Sequence, residues 1–387
     1  MSRRHLRWTA ALALVLLCLL LSACAPKEPY LPAPEDCAYA AWDTAPPNDP
    51  EAKQNTYGNP PFAALAVDRS AVAVGEDLYS VLNETRRLEK HSPGQVSEVL
   101  FDKTAVGLIS YYDRCLYFSD YALEGADGSF DCGKLYRLAL DHPEKGAELI
   151  YESRIDRELF SSFQLTDGFL YLVGSRLFHT FGVQKLALDG KVLGTVLSQT
   201  DVENVQISGG TIYFLRRGQL YRSPLTGTQP EPLLEGRKLQ RFCLDGGSLC
   251  FTEADRPGVV RGVFADGKIT AEKRYFPERT ADSFFVEGDR LYAAVRNSDN
   301  SNFYLTLLGT ALGDASGESI SYADDVMPAA YGTFQPFAAH GRIFYFSWAS
   351  ARGYYYQISL PGGERTLLAQ WDFRAPETTG AATKPAE

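Results

Sequence analysis

The sequence predicts an all-β protein, a β-propeller of seven four-stranded antiparallel blades with six blades as the alternative, and three observations carry that reading. Apolar-aromatic strand starts recur along the chain at intervals of 38, 54, 42, 37, 42 and 53 residues, most of them near the ~40–50 residues that such a blade requires. Turn dipeptides rich in Gly and Asp stand just ahead of them, at hairpin distance. A single four-stranded unit cannot bury both of its faces, so its repetition implies stacking around an axis.

The clearest unit runs from Phe163 to Thr200. Phe163–Thr166 alternates apolar and polar, Asp167-Gly168 turns, and Phe169–Val173 is a second strand of aromatic and branched residues. Gln184–Leu188 alternates again, Asp189-Gly190 turns, and Val192–Leu197 closes the unit. The strand-opening pairs of the whole array are Leu78-Tyr79, Leu116-Tyr117, Leu170-Tyr171, Ile212-Tyr213, Leu249-Cys250, Leu291-Tyr292 and Phe344-Tyr345. In blade seven the turn ahead of the pair reads as Gly341-Arg342. The two wide intervals place insertions in blades two and six, at residues 119–133 and 296–302, with more length at 313–332. Phe62–Val67 is apolar and either pairs with blade seven as a closing strand or leads into blade one.

Outside the array the chain changes character. The 387 residues are 45% hydrophobic and 22% charged, ordinary for a globular protein with a sizeable core. Residues 1–23 differ: Arg3, Arg4 and Arg7 precede an uncharged leucine-rich run, Thr9–Leu21, shorter than the ~20 residues of a spanning helix. This is a signal-peptide pattern. The run ends in Leu21-Ser22-Ala23-Cys24, which resembles a bacterial lipobox. The resemblance implies cleavage before Cys24 and a diacylglyceryl thioether on its sulphur; the alternative is an ordinary secretory signal with an incidental cysteine. Residues 24–61 are proline-rich and read as a semi-extended spacer, residues 62–373 as the propeller, and 374–387 as a disordered tail. The expected address is extracytoplasmic, on a bacterial membrane, held by the N-terminal lipid.

Loss of residues 1–23 would leave 35 basic against 48 acidic side chains, a net charge of −13. Such a surface repels phosphate backbones, so nucleic acid is not an expected partner. Five cysteines lie beyond Cys18 and Cys24, an odd number. Cys243 and Cys250 face each other if residues 246–247 form a two-residue turn, in a hydrogen-bonded register that suits a disulfide poorly; paired and free thiols both stay open. No CxxC or His-rich spacing points to a metal, and no cofactor is expected.

The array resembles the bacterial β-propeller family of unknown function related to the YWTD repeats of lipoprotein receptors. The residues that carry the resemblance are Asn55-Thr56-Tyr57-Gly58-Asn59 ahead of the array and Tyr117-Phe118-Ser119-Asp120, the nearest approach to the tetrapeptide. It covers roughly Asn55 to Phe373 and implies a fold and a secreted or lipid-anchored setting, not a chemistry. The strict tetrapeptide is absent elsewhere, and seven units stand where those receptors have six.

No Ser-His-Asp, paired-carboxylate or phosphate-cradling pattern stands out, so no catalytic residue is named. The histidines of the mature chain, His91, His142, His179 and His340, fall in different blades, mostly at turns. His340-Gly341 occupies the position that Asp-Gly fills elsewhere. The central channel is the better place to look. Links from each outer strand to the next inner strand surround one mouth, and they hold Asp102, Lys103, Asp156, Asp201, Asn204, Lys238, Arg279 and Tyr331. The same links carry the candidate ligand-binding set, Arg157, Glu158, Glu203, Gln240, Arg241, Asp282 and Gln335, a mixed-charge mouth for a polar ligand. Tyr111-Tyr112, Trp348 and Tyr354–Tyr356 could stack on sugars, although alternation and packing between blades account for most of them. The expectation is a non-catalytic module that binds or scaffolds a protein, peptide or glycan. The alternative is a propeller hydrolase or lyase acting on carbohydrate or peptide at the mouth.

Overall fold

The computed structural model describes residues 70–81, 86–124, 130–153, 159–175, 181–225, 230–245, 247–296, 304–313, 318–327, 335–349, 352–360, 362 and 364–372. They form seven four-stranded antiparallel sheets, so seven blades are present and the six-bladed alternative falls. Blade one holds Ala71–Val74, Asp77–Val81, Leu88–His91 and Glu98–Phe101. Blade two holds Val106–Tyr112, Cys115–Asp120, Lys134–Ala139 and Glu148–Glu152. Blade three holds Phe160–Thr166, Phe169–Gly174, Val183–Ala187 and Val192–Leu197. Blade four holds Glu203–Ser208, Thr211–Arg216, Gln219–Pro224 and Glu231–Leu233. Blade five holds Leu239–Asp245, Ser248–Glu253, Val259–Ala265 and Lys268–Tyr275. Blade six holds Ala281–Glu287, Arg290–Arg296, Leu305–Ala311 and Ile320–Val326. Blade seven holds Phe337–Ala339, Arg342–Ala349, Arg352–Ser359 and Arg365–Asp372. First strands of successive blades lie beside one another, so the first strand of each blade is the inner one.

Turn chemistry sets the register. In every blade the first and second strands are joined by two residues, from Val74 and Asp77 in blade one to Ala339 and Arg342 in blade seven. Asp167-Gly168, Gly209-Gly210 and His340-Gly341 have positive φ at both positions, the twist that two antiparallel strands need. Gly75 and Gly288 have it only at the first, the second primed turn type. In blade seven the turn is His340-Gly341, not Gly341-Arg342. The pair in register with Leu170-Tyr171 is therefore Ile343-Phe344, one residue earlier than the aromatic run suggests.

Alternation sends neighbouring residues of an inner strand toward opposite blades, and the core divides accordingly. Among the described residues there are seven apolar clusters, one between each successive pair of blades. Phe242 packs toward blade four while Cys243, beside it, packs toward blade six. The seventh cluster closes the ring: Ala71, Ala73 and Leu78 of blade one meet Phe337, Phe344, Phe346 and Tyr355 of blade seven. Burying each such phenylalanine contributes roughly 1.5–3 kcal/mol. The Arg342 guanidinium adds a hydrogen bond to the Gly75 carbonyl across the same seam. All four strands of blade seven come from the C-terminal end of the array, and residues 62–67 lie outside the described residues.

The insertion in blade two is a small hairpin, Leu123–Glu124 against Phe130–Asp131. It is pinned to blade three, where Cys132 exchanges backbone hydrogen bonds with Phe160 and Ser175 Oγ donates to Asp131 Oδ2 at 2.5 Å. Cys115, Cys132, Cys243 and Cys250 are buried and in no disulfide; Cys243 and Cys250 stand opposite each other in register. Among the described residues there is no helix long and apolar enough to cross a membrane. The leader, Cys24, the spacer and the tail lie outside them.

Blades also touch through outer turns. Gly190, with φ +86°, closes the third-to-fourth hairpin of blade three against blade two, and a Cβ there would lie 1.8 Å from the Ile150 carbonyl oxygen. Gly190→Ala adds a left-handed penalty to a backbone clash. It is expected to lower stability by about 2–3 kcal/mol, read as a fall in the urea midpoint at unchanged slope.

Candidate functional site

Near one mouth several inner strands carry a bulge. The pairing with the second strand skips Ser161 in blade three, Gln240 in blade five and Asp282 in blade six, and in blade four it skips Asn204 and Val205. A bulge re-aims a side chain that a regular ladder would direct into the blade interface. Beyond the bulge the ladder resumes, so residues at a fixed distance from the turn share one level of the ring. Five positions before the first turn residue stand Ser162, Arg241 and Ser283 in the resumed ladder, Leu108 and Asn204 at the bulges of blades two and four, and Ser70 and Gln335 just ahead of the paired strands of blades one and seven. All but Leu108 are polar.

Deeper along the strands, glutamines fasten one blade to the next. Gln164 donates from Nε2 to the Val205 carbonyl and accepts at Oε1 from the Ile207 amide at 3.1 Å. Gln206, at the same level in blade four, accepts from the Leu244 amide at 3.0 Å. These bonds satisfy inner-strand groups that would otherwise be buried without partners.

At the mouth, Arg241 Nη1 donates to Gln335 Oε1 at 3.4 Å, a long bond that joins blade five to blade seven past blade six. Asp282 of blade six lies close enough to act on the guanidinium electrostatically, and so does Arg296. Both Asp282 oxygens are already taken: Arg296 Nε donates to Oδ1 at 2.8 Å and Nη2 to Oδ2 at 3.3 Å. Burial pulls the Arg241 pKa down, and the Asp282 carboxylate opposes that. Asn204 Nδ2 donates to the Gln240 carbonyl at 3.0 Å.

The structure thus brings Arg241, Asp282 and Gln335 together, with Gln240 alongside through its backbone. Glu203 begins the inner strand of blade four and is exposed. Arg157 and Glu158 lie outside the described residues. Ser70, Ser283 and Arg296 were not among the candidates. Counting back from the turn would have found the two serines; Arg296, at the end of a second strand, had no such signal. Three atoms of the ring, Ser70 Oγ, Asn204 Oδ1 and Ser283 Oγ, are buried without a hydrogen-bond partner among the described residues.

The other candidates resolve into packing. Tyr111 and Tyr112 point to opposite neighbouring blades, and Tyr112 Oη accepts from the Gly168 amide at 2.9 Å. Tyr355 and Trp348 pack in the cluster that closes the ring. His142 lies at a turn beside Glu144, and His340 forms its turn with φ 54°. His179 lies outside the described residues. His91, by contrast, is not at a turn but inside the third strand of blade one. Among the described residues no group of three or more His, Cys, Asp or Glu side chains is placed to hold a metal ion.

The fold and this mouth define a seven-bladed β-propeller with a polar inner ring. No family model and no curated protein matches the chain. Among solved structures it is similar to a prolyl endopeptidase, with a TM-score of 0.51 at 11% identity over 82% of this chain and 50% of that one. It is similar also to an oligogalacturonate lyase in complex with manganese, with a TM-score of 0.50 at 12% identity over 81% of this chain and 88% of that one. Hsv2 of Kluyveromyces lactis aligns with a TM-score of 0.49 at 9% identity over 81% of this chain and 99% of that one. At these identities the likeness shows the propeller architecture alone.

Proposed function

We propose that this chain is a lipid-anchored, extracytoplasmic propeller of the bacterial family related to YWTD repeats, serving as a binding or scaffolding module without catalysis. The observation that supports the binding reading is the mouth itself. Of the two carboxylates six positions before the turn, Asp282 is held on both oxygens by Arg296 and Glu203 is exposed, while Arg241, Gln335 and Asn204 offer hydrogen-bonding groups beside them. Acid–base chemistry asks for two titratable groups with their roles free; a docking site asks for fixed donors and acceptors. The partner is a polar ligand, protein, peptide or glycan rather than nucleic acid.

The anchor reading rests on Ser22-Ala23-Cys24 after the leucine-rich run. Two or three acyl chains at ~0.8 kcal/mol per buried CH₂ would hold the protein on the membrane lastingly. The full-length protein, expressed in a bacterium, is expected to enter the detergent phase and to carry an acyl mass on Cys24; Cys24→Ala is expected to release it. A wild-type protein in the aqueous phase with an unmodified Cys24 would end the anchor reading. For catalysis, the protein is expected to leave a panel of glycans, peptides and esters unchanged. Turnover that Arg241→Met or Gln335→Leu abolishes would favour the enzyme instead.

A further inference from the structure

We propose that the mouth binds a ligand through a single carboxylate group, with the Arg241 guanidinium as its anchor. The proposal rests on the binding reading above and names the chemistry of what is bound. Three observations lead to it.

The first is an unbalanced charge. Arg241 is recessed among polar groups and, among the described residues, forms no ion pair and one hydrogen bond, the long one to neutral Gln335. The carboxylate nearest in effect, Asp282, is spent on Arg296 through two hydrogen bonds. Arg296, 64% exposed, is balanced by Asp282 and by solvent, and among the described residues the recessed Arg241 is left without a counter-charge of its own. A guanidinium fork matches a carboxylate with two parallel hydrogen bonds.

The second is the sign and number of charges tolerated. One negative charge on the ligand balances the excess. A second would face Asp282 without compensation, on a chain whose net charge is already −10. A monoanionic carboxylate fits better than a phosphate dianion.

The third is the ring around the anchor. Ser70, Asn204 and Ser283 are 5%, 8% and 1% exposed, and each holds an oxygen without a hydrogen-bond partner among the described residues. Buried polar atoms left unpaired are expensive; these are closed to solvent, so hydroxyl or amide groups on a ligand reach them only as the mouth opens slightly on binding. The ligand is thus a small polar acid, with further hydrogen-bonding groups beside its carboxylate. An acidic sugar and the C-terminal end of a short peptide both have this chemistry.

The test is titration calorimetry on the full chain carrying Cys24→Ser, with glucuronate, alanyl-alanine, glucose and glucose 6-phosphate as probes. At least one of the two carboxylates is expected to bind with a dissociation constant below about 10 mM, and which one does identifies the source. Glucose is expected not to bind, and the phosphate to bind more weakly than the better acid. Arg241→Met is expected to weaken that acid at least about tenfold; Arg241→Lys, which keeps charge but not the fork, is expected to lie between. Thermal melts establish that each variant is folded, and Glu144→Gln, an exposed change between the third and fourth strands of blade two, is expected to retain acid binding. Failure of both acids to bind, equal binding of glucose, or wild-type affinity in Arg241→Met would each overturn the carboxylate proposal and leave the binding module standing. Turnover of a glucuronate-bearing glycan with Arg241-dependent affinity would instead overturn the non-catalytic reading and leave the carboxylate anchor intact.

Discussion

Arg274→Met is expected to destabilise the propeller by about 3–4 kcal/mol, because it strands a buried carboxylate. Glu253, at the end of the second strand of blade five, is 7% exposed. Arg274 Nη2 donates to its Oε2, and Arg274 Nη1 donates to the Pro257 carbonyl at 2.8 Å. The remaining help comes from Arg237, whose Nε lies 3.5 Å from Glu253 Oε1 while its Nη2 donates to Glu272 at 2.7 Å. Arg237 is thus already divided between two carboxylates, and its Nη1 has no partner. Without Arg274 the Glu253 charge has lost its better hydrogen bond and stays out of water. Urea denaturation of wild type and variant at pH 7 should show the gap as a lower midpoint at unchanged slope. Adding Glu253→Leu to Arg274→Met should restore most of the loss, since a packed apolar side chain replaces a stranded ion. A variant as stable as wild type, or a double variant no better than the single one, would refute the account.

The contrast between what was and was not legible in this chain has a physical basis. Hairpin turns are local: Asp167-Gly168 or Gly209-Gly210 need left-handed backbone, and a glycine or aspartate supplies it whatever the rest of the molecule does. Blade number followed from counting such turns. Blade seven slipped by one residue because Phe344, Tyr345 and Phe346 are all buried, so composition does not say which faces which neighbour. Only pairing resolves it: Phe344 and Phe346 face blade one, Tyr345 faces blade six. The mouth was legible to the extent that links from outer to inner strands must gather there. That Arg241 meets Gln335, 94 residues on, depends on the closure of the ring. Bulges at Gln240 and Asp282 decide where those side chains aim, and the sequence holds no local mark of a bulge where no glycine is needed.

The strand Leu88-Glu89-Lys90-His91 shows the same limit, and it carries the second large effect. Read locally it is polar, yet His91 is 1% exposed because the strand sits at the seam where blade one meets blade seven. Its Nε2 lies 2.8 Å from Ser80 Oγ and its Nδ1 2.7 Å from Ser97 Oγ, with the Tyr355 ring of blade seven edge-on at 5.1 Å. Burial lowers the imidazole pKa from 6.5 to about 3. The unfolded chain therefore takes up a proton below about pH 6.5 that the folded chain refuses until about pH 3. Stability from this group is whole above pH 6.5 and falls by about 1.4 kcal/mol per pH unit beneath it, roughly 2.7 kcal/mol by pH 4.5. Glu89, two residues earlier, works in the opposite sense, since burial raises its carboxyl pKa and the folded state then gains stability as pH falls. The difference between wild type and His91→Gln isolates the histidine from that background. Gln is expected to be less stable at pH 7, where it fills the seam less well, and to lose less on acidification, so the two urea midpoints should converge between pH 6.5 and 4.5. Midpoints that fall in parallel over that interval would mean that His91 takes its proton in the folded state, and that the seam between first and last blade is open to water.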